Sequence, residues 1–452
     1  MLCRNNFSSK KIMSVRTKIQ LVAGNALLLF MSVTYLAKTN TRNKSKTFGI
    51  RQADRRLHMH VLGKTGTGKS TFLKNIIIQD IKEGRGICLV DPHGDLSEEI
   101  INHIPPHRSR DVVYFNPSDL DFPVGFNVLE NVAPAIRPLV ASQVVSIFKN
   151  IYRDSWGARL EYILYNSILS LLDYENSTLL SIQRLLNDKE FRAQVVAKVQ
   201  DPVVKNFWHK EFDNYSSDFK QEALSPIQNK VGQFLTSTPV RNIVGQIKSK
   251  LDMRFIMDNK RILICNLSKG EIGEDKTQLL GSLIVTKIFL SALQRADQPE
   301  EERQDFSLFI DECQNLATPI LSSILSESRK YRLNLTLTNQ YLDQIPTDIK
   351  KAILGNVGTL VSFRLGAPDA VELEQEFAPE FNAIDLENIG KYQICLKLAI
   401  DSMVSRPFSA ETLPPIASAT NNNRENIIKT SREKYGTRKT VIEDKIRRWY
   451  RK

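Results

Sequence analysis

From Leu57 onward, short apolar runs alternate with stretches of helical period. LHMHVL (57–62), GICLVD (86–91) and DVVYF (111–115) read as strands, with a helix over Lys69 to Ile81 between the first two. This alternation predicts an α/β core, a parallel sheet covered by helices. Between about Val128 and Leu251 the alternation stops. Leu160, Ile163, Leu164, Ile168 and Leu171 keep helical spacing there, which predicts an all-helical insertion. RILICNL (261–267) resumes the sheet, and Leu280, Ile284 and Ile288 then recur at every fourth position, as the buried stripe of a helix would. FSLFID (306–311), LNLTLTN (333–339), TLVSFR (359–364) and QICLKL (393–398) supply further strands. From Ala417 the chain is polar and includes Asn421-Asn422-Asn423, which predicts a flexible tail.

At the other end, Ile19 to Ala37 is a run of 19 residues without a charge. As a helix at 1.5 Å per residue it is just long enough to cross a bilayer core of ~30 Å. It is diluted by Gln20, Asn25, Ser32 and Thr34, so a buried helix or an uncleaved signal segment competes with an anchor. Lys38, Arg42, Lys44, Lys46, Arg51, Arg55 and Arg56 follow it, and this excess predicts that the body faces the cytoplasm. The organisation expected is a basic segment 1–46 with a transmembrane helix, a core made of 47–127 and 252–415, the insertion 128–251, and a basic tail 416–452.

Composition changes this picture in one respect. With 452 residues, 42% hydrophobic and 25% charged, the chain is a globular protein of two or three domains rather than a fibrous or disordered one. Its formal +12 lies at the ends. Residues 1–56 carry twelve Lys/Arg against Asp54 alone and 416–452 carry eleven against four acids, leaving the body at a formal −6. Basic ends suit DNA or an anionic membrane surface, or simply keep the protein in solution. Cys3, Cys88, Cys265, Cys313 and Cys395 are odd in number and lack a C-x-x-C pair, which argues against disulfides or zinc and for a reducing compartment.

The chemistry begins at Gly63-Lys64-Thr65-Gly66-Thr67-Gly68-Lys69-Ser70-Thr71, which matches G-x-x-x-x-G-K-[ST] after a strand and at the start of a helix. In such a P-loop the glycines let backbone N–H groups curl around phosphate, Lys69 reaches the β/γ-phosphates of ATP, and the Ser70 hydroxyl ligates Mg²⁺. A second carboxylate narrows the class. FSLFID ends in Asp311-Glu312, with Asp311 placed to hold Mg²⁺ and Glu312 to polarise water, the pairing of an additional-strand P-loop ATPase with a RecA-like core. A GTPase would need N-K-x-D, and none of Asn43-Lys44, Asn229-Lys230 or Asn259-Lys260 is followed by that Asp. Asn339-Gln340 ends a later strand, where Gln340 either senses the γ-phosphate or caps a turn. Arg329-Lys330 and Arg364 are candidates for an arginine finger from a neighbouring subunit, or surface ion-pair partners. Asp91 and Asp95 either position water or Mg²⁺ or cap the helix that starts near Leu96.

In order, GKTGTGKST, LVDPHGDL, FIDECQNL, SRKYRLNLTLTNQ and NVGTLVSFRLG resemble the type IV secretion coupling proteins of the TraG/TraD type, within the HerA/FtsK superfamily, from about Phe48 to Leu413. The resemblance implies a homo-hexameric, membrane-associated ATPase at the cytoplasmic face of the cell membrane. It would pump single-stranded DNA, with its relaxase, to a secretion channel. It also implies nucleotide and Mg²⁺ roles for Lys69 and Ser70, Walker B roles for Asp311 and Glu312, a sensor role for Gln340 and a finger role for Arg329. Such proteins usually carry two spans; this chain has one candidate. Two other readings stand beside it: a HerA-like DNA-processing translocase outside any secretion system, and a membrane-anchored ATP-dependent recruiter that moves no DNA. Lacking an aromatic stacking platform or groove-reading motif, the chain would contact DNA through phosphates, independently of sequence.

Overall fold

The computed structural model describes residues 33–40, 45–417 and 423–451. Its strands are β1 (Val33–Thr39), β2 (Thr47–Arg51), β3 (Met59–Leu62), β4 (Gly86–Asp91), β5 (Val112–Phe115), β6 (Ile262–Asn266), β7 (Phe306–Ile310), β8 (Leu333–Asn339), β9 (Thr359–Ser362), β10 (Gln393–Lys397), the short pair β11 (Ala399–Ile400) and β12 (Met403–Val404), and β13 (Phe408–Thr412). All but β11 and β12 form one 11-stranded sheet in the order β2-β1-β13-β10-β9-β3-β8-β7-β4-β6-β5. Pairing from β9 to β5 is parallel throughout, whereas β10, β13, β1 and β2 are joined antiparallel. β8 therefore lies between the P-loop strand β3 and β7, which leads to Asp311. This is the RecA-like additional-strand arrangement.

The central strands are buried on both faces, so they read as continuous apolar runs. Along β4, Ile87 and Leu89 pack with one core and Cys88 and Val90 with the other. The first face is covered by α1 (Lys69–Lys82) and α2 (Asp95–Ile101), through Phe72, Ile76, Leu96 and Ile100. The second is covered by α3 (Glu274–Leu293), through Leu280, Ile284 and Ile288, and by helices lying between β5 and β6, among them Arg137–Ile151, Ala158–Asp173 and Ser217–Thr236. The apolar core of these inserted helices is continuous with that face of the sheet.

Two expectations are revised by the structure. Val33 to Ala37, the end of the predicted transmembrane run, is strand β1 inside the sheet; the rest of that run lies outside the described residues. β1 holds its place because Leu36 and Ala37 are buried, while the Tyr35 N–H donates to Gln79 Oε1 (2.8 Å) and the Gln79 amide returns to the Tyr35 carbonyl (2.9 Å). Among the described residues, the helix long and apolar enough to span a membrane is Glu274–Asp297, and it is largely buried in the protein.

The tail is the second correction. Much of 416–452 is folded: α4 (Arg424–Tyr435) and α5 (Lys439–Arg451) pack on the body. Asn75 of α1 straps the approach, donating to the Leu413 and Pro414 carbonyls and accepting from the Ile416 N–H. α4 covers the open edge of β5, with Ile427 buried and the Ser431 hydroxyl accepting from Tyr114 N–H (2.9 Å). α5 sinks Ile442 and Ile446 against the insertion, and Arg184 stacks on Phe191 and Trp449.

Two buried histidines, His58 just before β3 and His60 within it, lie upstream of the P-loop. His58 Nδ1 accepts from Leu335 N–H (3.1 Å), and His60 Nε2 lies 2.5 Å from Asn339 Oδ1. Burial pushes both imidazoles down from 6.5 to about 4, because the charged ring would lose its water. The unfolded chain takes up these protons near pH 6.5. The stability they contribute is therefore complete above that pH and lost as pH falls toward 4. The thermal unfolding midpoint should drop across this window, and His58→Asn, which tolerates the residue's φ of +63°, should flatten the drop.

Candidate nucleotide site

At the carboxyl edge of the sheet the chain leaves β3 into the loop Gly63–Gly68. Two of its glycines do steric work. Gly66 stands at φ +77°, and at Gly68 (φ +121°) a Cβ would lie 3.1 Å from the Tyr392 ring and 3.2 Å from Phe363. The Thr67 hydroxyl closes the loop on the Lys64 carbonyl (2.7 Å). Lys69, 7% exposed, turns its ammonium back to the Gly63 and Lys64 carbonyls. Burial lowers its pKa, and the nearby Glu312 and Asp311 oppose that shift. Ser70 is exposed at the start of α1.

Across β8 stand the acids. The Asp311 carboxylate accepts from the Thr338 hydroxyl, which in turn accepts from the Glu312 N–H (3.1 Å). Glu312 adopts φ +48°, the left-handed region, which aims its side chain out of the turn after β7. Its carboxylate is gripped on both sides: Oε1 accepts from Gln340 Nε2 (2.7 Å) and Oε2 from Gln314 Nε2 (2.7 Å). Gln340 Oε1 accepts from the Thr65 hydroxyl (2.9 Å), so P-loop, amide and Walker B acid form one hydrogen-bonded chain.

Asp311 is pushed up to about 6. Burial is the main cause, countered by the Thr338 hydrogen bond and reinforced by Asp91 and Glu312, while His93 lowers it. Among the described residues no group of three or more His, Cys, Asp or Glu gathers to hold a metal by itself. That fits Mg²⁺, which is commonly held by one or two protein oxygens plus substrate phosphates. Asp311 and Ser70 are the oxygens available, and a hard cation there would neutralise developing phosphate charge.

Asp91 does not belong to that set. Its Oδ1 accepts from the His93 and Gly94 N–H groups and its Oδ2 from Ser97 N–H, so it is the cap of α2 and Asp95 is not. The arginines separate. Arg364 is exposed at the carboxyl edge, its carbonyl accepting from Lys64 N–H (3.0 Å) of the same chain. Arg329 is exposed on the turn before β8, at the opposite end of that strand from Gln340 and so away from the Walker residues. Sequence reading missed Thr338, Gln314 and His93. The first had a signal, since Asn334, Thr336 and Thr338 place polar groups at every second position of an otherwise apolar buried strand.

A model of the HerA helicase central domain matches residues 51–288, more than half of the chain. The chain belongs to the HerA central-domain family. By fold and by these edge residues it is a P-loop ATPase of that family. It is 23% identical over 340 residues to the type 4 coupling protein DotL of Legionella pneumophila, a match that covers 65% of this chain and spans 43% of DotL. Its fold is similar to the plasmid coupling protein TrwB in complex with ADP and Mg²⁺ (TM-score 0.61, 16% identity, 87% of this chain and 97% of that one). It is also similar to VirB4 of Thermoanaerobacter pseudethanolicus (TM-score 0.55, 14% identity, 87% and 98%).

The site gives a direct prediction. Lys69→Ala should weaken nucleotide binding. Glu312→Gln should keep binding yet lower kcat by about 10²–10⁴-fold, since only the water-polarising carboxylate is lost. Equilibrium binding beside steady-state hydrolysis checks both; parental turnover by Glu312→Gln would remove Glu312 from the role.

Proposed function

We propose that this HerA-family chain is the motor of a type IV secretion coupling protein, hydrolysing ATP to drive single-stranded DNA through a homo-hexameric ring. The observation that carries the reading is the chain Thr65–Gln340–Glu312, which couples the phosphate-binding loop to the hydrolytic acid through the end of the additional strand. Likeness to DotL and TrwB supports the secretion assignment.

In this reading the β- and γ-phosphates take the Lys69 ammonium away from the Gly63 and Lys64 carbonyls. Mg²⁺, held by Ser70 and Asp311, supplies charge neutralisation when bound. Glu312, oriented by Gln314 and Gln340, accepts the proton of the attacking water. Loss of the γ-phosphate alters what faces Thr65, and Gln340 transmits that change to β8. The relaxase and channel are the partners this reading expects, at the cytoplasmic face of the membrane. The family model keeps a second reading open, a HerA-like DNA-processing translocase outside secretion. Recovery of the protein in the membrane fraction after a high-salt wash favours the first, and recovery in the soluble fraction the second.

Single-stranded DNA should raise the ATPase rate, with an effect that weakens as salt rises because the contacts are to phosphates. A rate indifferent to DNA overturns the motor reading and leaves the ATP-dependent recruiter. Arg329→Ala and Arg364→Ala should each retain nucleotide binding and lose turnover, by as much as ~10³-fold for a true finger. Mixing with Lys69→Ala subunits should restore activity to Arg329→Ala, whose arginine can act only on a neighbour. Rescue of Arg364→Ala by the same mixing would instead make Arg364 the finger; no rescue of either variant overturns the trans arrangement.

A further inference from the structure

Tyr392 stands outside everything assigned so far, yet it touches the P-loop. It immediately precedes β10 and is 46% exposed. Its Cδ1 lies 3.1 Å from the point where a side chain on Gly68 would begin. Its backbone is clamped at φ +65°, a conformation disfavoured for an aromatic L-residue. The clamp has three parts: Tyr392 N–H donates to the Thr67 carbonyl (3.3 Å), and the Tyr392 carbonyl accepts from Thr412 N–H (2.8 Å) and from the Thr412 hydroxyl (3.0 Å). The neighbouring Lys391 ammonium sits 4.9 Å from the ring centroid. A large aromatic is thus held in a disfavoured conformation at the rim of the loop, with much of its surface still open to water.

We infer that Tyr392 is the nucleobase platform of the site, its exposed ring stacking on the purine of the nucleotide whose phosphates the loop holds. The inference rests on the reading of Gly63–Thr71 as a nucleotide site and adds the part of the ligand that the loop leaves unread. A P-loop binds polyphosphate through backbone N–H groups and Lys69 and makes no contact with a base. Stacking on an aromatic face is worth enough to matter, about 5- to 100-fold in affinity, and it reads a π-face rather than a pattern of donors and acceptors. The same ring crowds Gly68 beyond its φ: a Cβ there would lie 3.1 Å from the Tyr392 ring, which would have to give by a few tenths of an ångström.

The test compares a ligand with a base and one without, using the full chain with Mg²⁺, ADP and inorganic tripolyphosphate in titration calorimetry. Tyr392→Ala should weaken ADP about 5- to 100-fold and leave tripolyphosphate unchanged. Tyr392→Phe should restore ADP affinity to within about threefold, because the ring is kept. Tyr392→Asn, which accepts positive φ without an aromatic face, should reproduce the alanine result should Tyr392→Ala fail to fold. Equal weakening of both ligands would make Tyr392 a brace for the loop and overturn the inference, as would unchanged ADP binding. A parent protein that binds neither ligand would instead bring down the nucleotide-site reading, and the inference with it.

Discussion

The position of β8 between β3 and β7 is the constraint on which the site depends. Its register places Thr338 beside Val61 of β3, and Leu337 beside Ile310, one residue before Asp311. From there a single hydroxyl can serve the Asp311 carboxylate and the Glu312 backbone together, and the strand's exit delivers Gln340 to both Thr65 and Glu312. Two buried acids would be costly without partners; Thr338 supplies a hydrogen bond to Asp311, and Gln340 and Gln314 supply them to Glu312. A displaced β8 would break the phosphate end and the hydrolytic end of the site at once.

A second buried network fixes the helix that the P-loop opens. Asp80 of α1 accepts from Arg55 and Arg85, and Arg85 also donates to the Thr34 hydroxyl of β1 (2.7 Å). Burial pushes the Asp80 carboxyl up, but the two guanidinium groups outweigh it and hold it below its ordinary value. Such clusters are weak evidence for net stability. Removing one partner is a different matter, costing about 3–5 kcal/mol because a charge is left buried and alone. The network therefore joins the antiparallel margin of the sheet to the helix that the P-loop opens, so β1 is part of the ATPase core rather than a lead-in to it.

The C-terminal helices extend the same economy to the far edge. β5 would present unpaired backbone to solvent; α4 covers it, and Arg424 reaches Glu98 of α2, which also accepts from the Tyr114 hydroxyl (2.7 Å). α5 then docks on the inserted helices, so one chain segment ties α1, β5 and the insertion together. Movement of the insertion relative to the nucleotide edge has to work through these contacts.

The P-loop, Asp311-Glu312 and the central strands were legible in the sequence because each is a local pattern: apolar runs buried on both faces, glycines where φ must be positive, acids at a strand end. Gln340 was legible for the same reason, as the residue just past β8. The amphipathic face of α5, with Ile442, Ile446 and Trp449 at helical spacing, was present too but was outweighed by the polar composition around it. Other features had no local sign. A strand such as β1 looks like an uncharged run until partners 9 to 375 residues away, at Thr47 to Arg51 and Ala410 to Thr412, claim its backbone. Asp91 could be recognised as a helix-capping acid only once the N–H groups of His93, Gly94 and Ser97 were seen to bond it. Arg329 and Arg364, similar as exposed arginines, fall at opposite edges of the sheet because one precedes β8 and the other follows β9, and both strands run parallel to β3. The sequence by itself determined the chemistry this edge can perform; the tertiary structure decided which groups share it, because hydrogen bonds across a sheet join residues that no spacing along the chain relates.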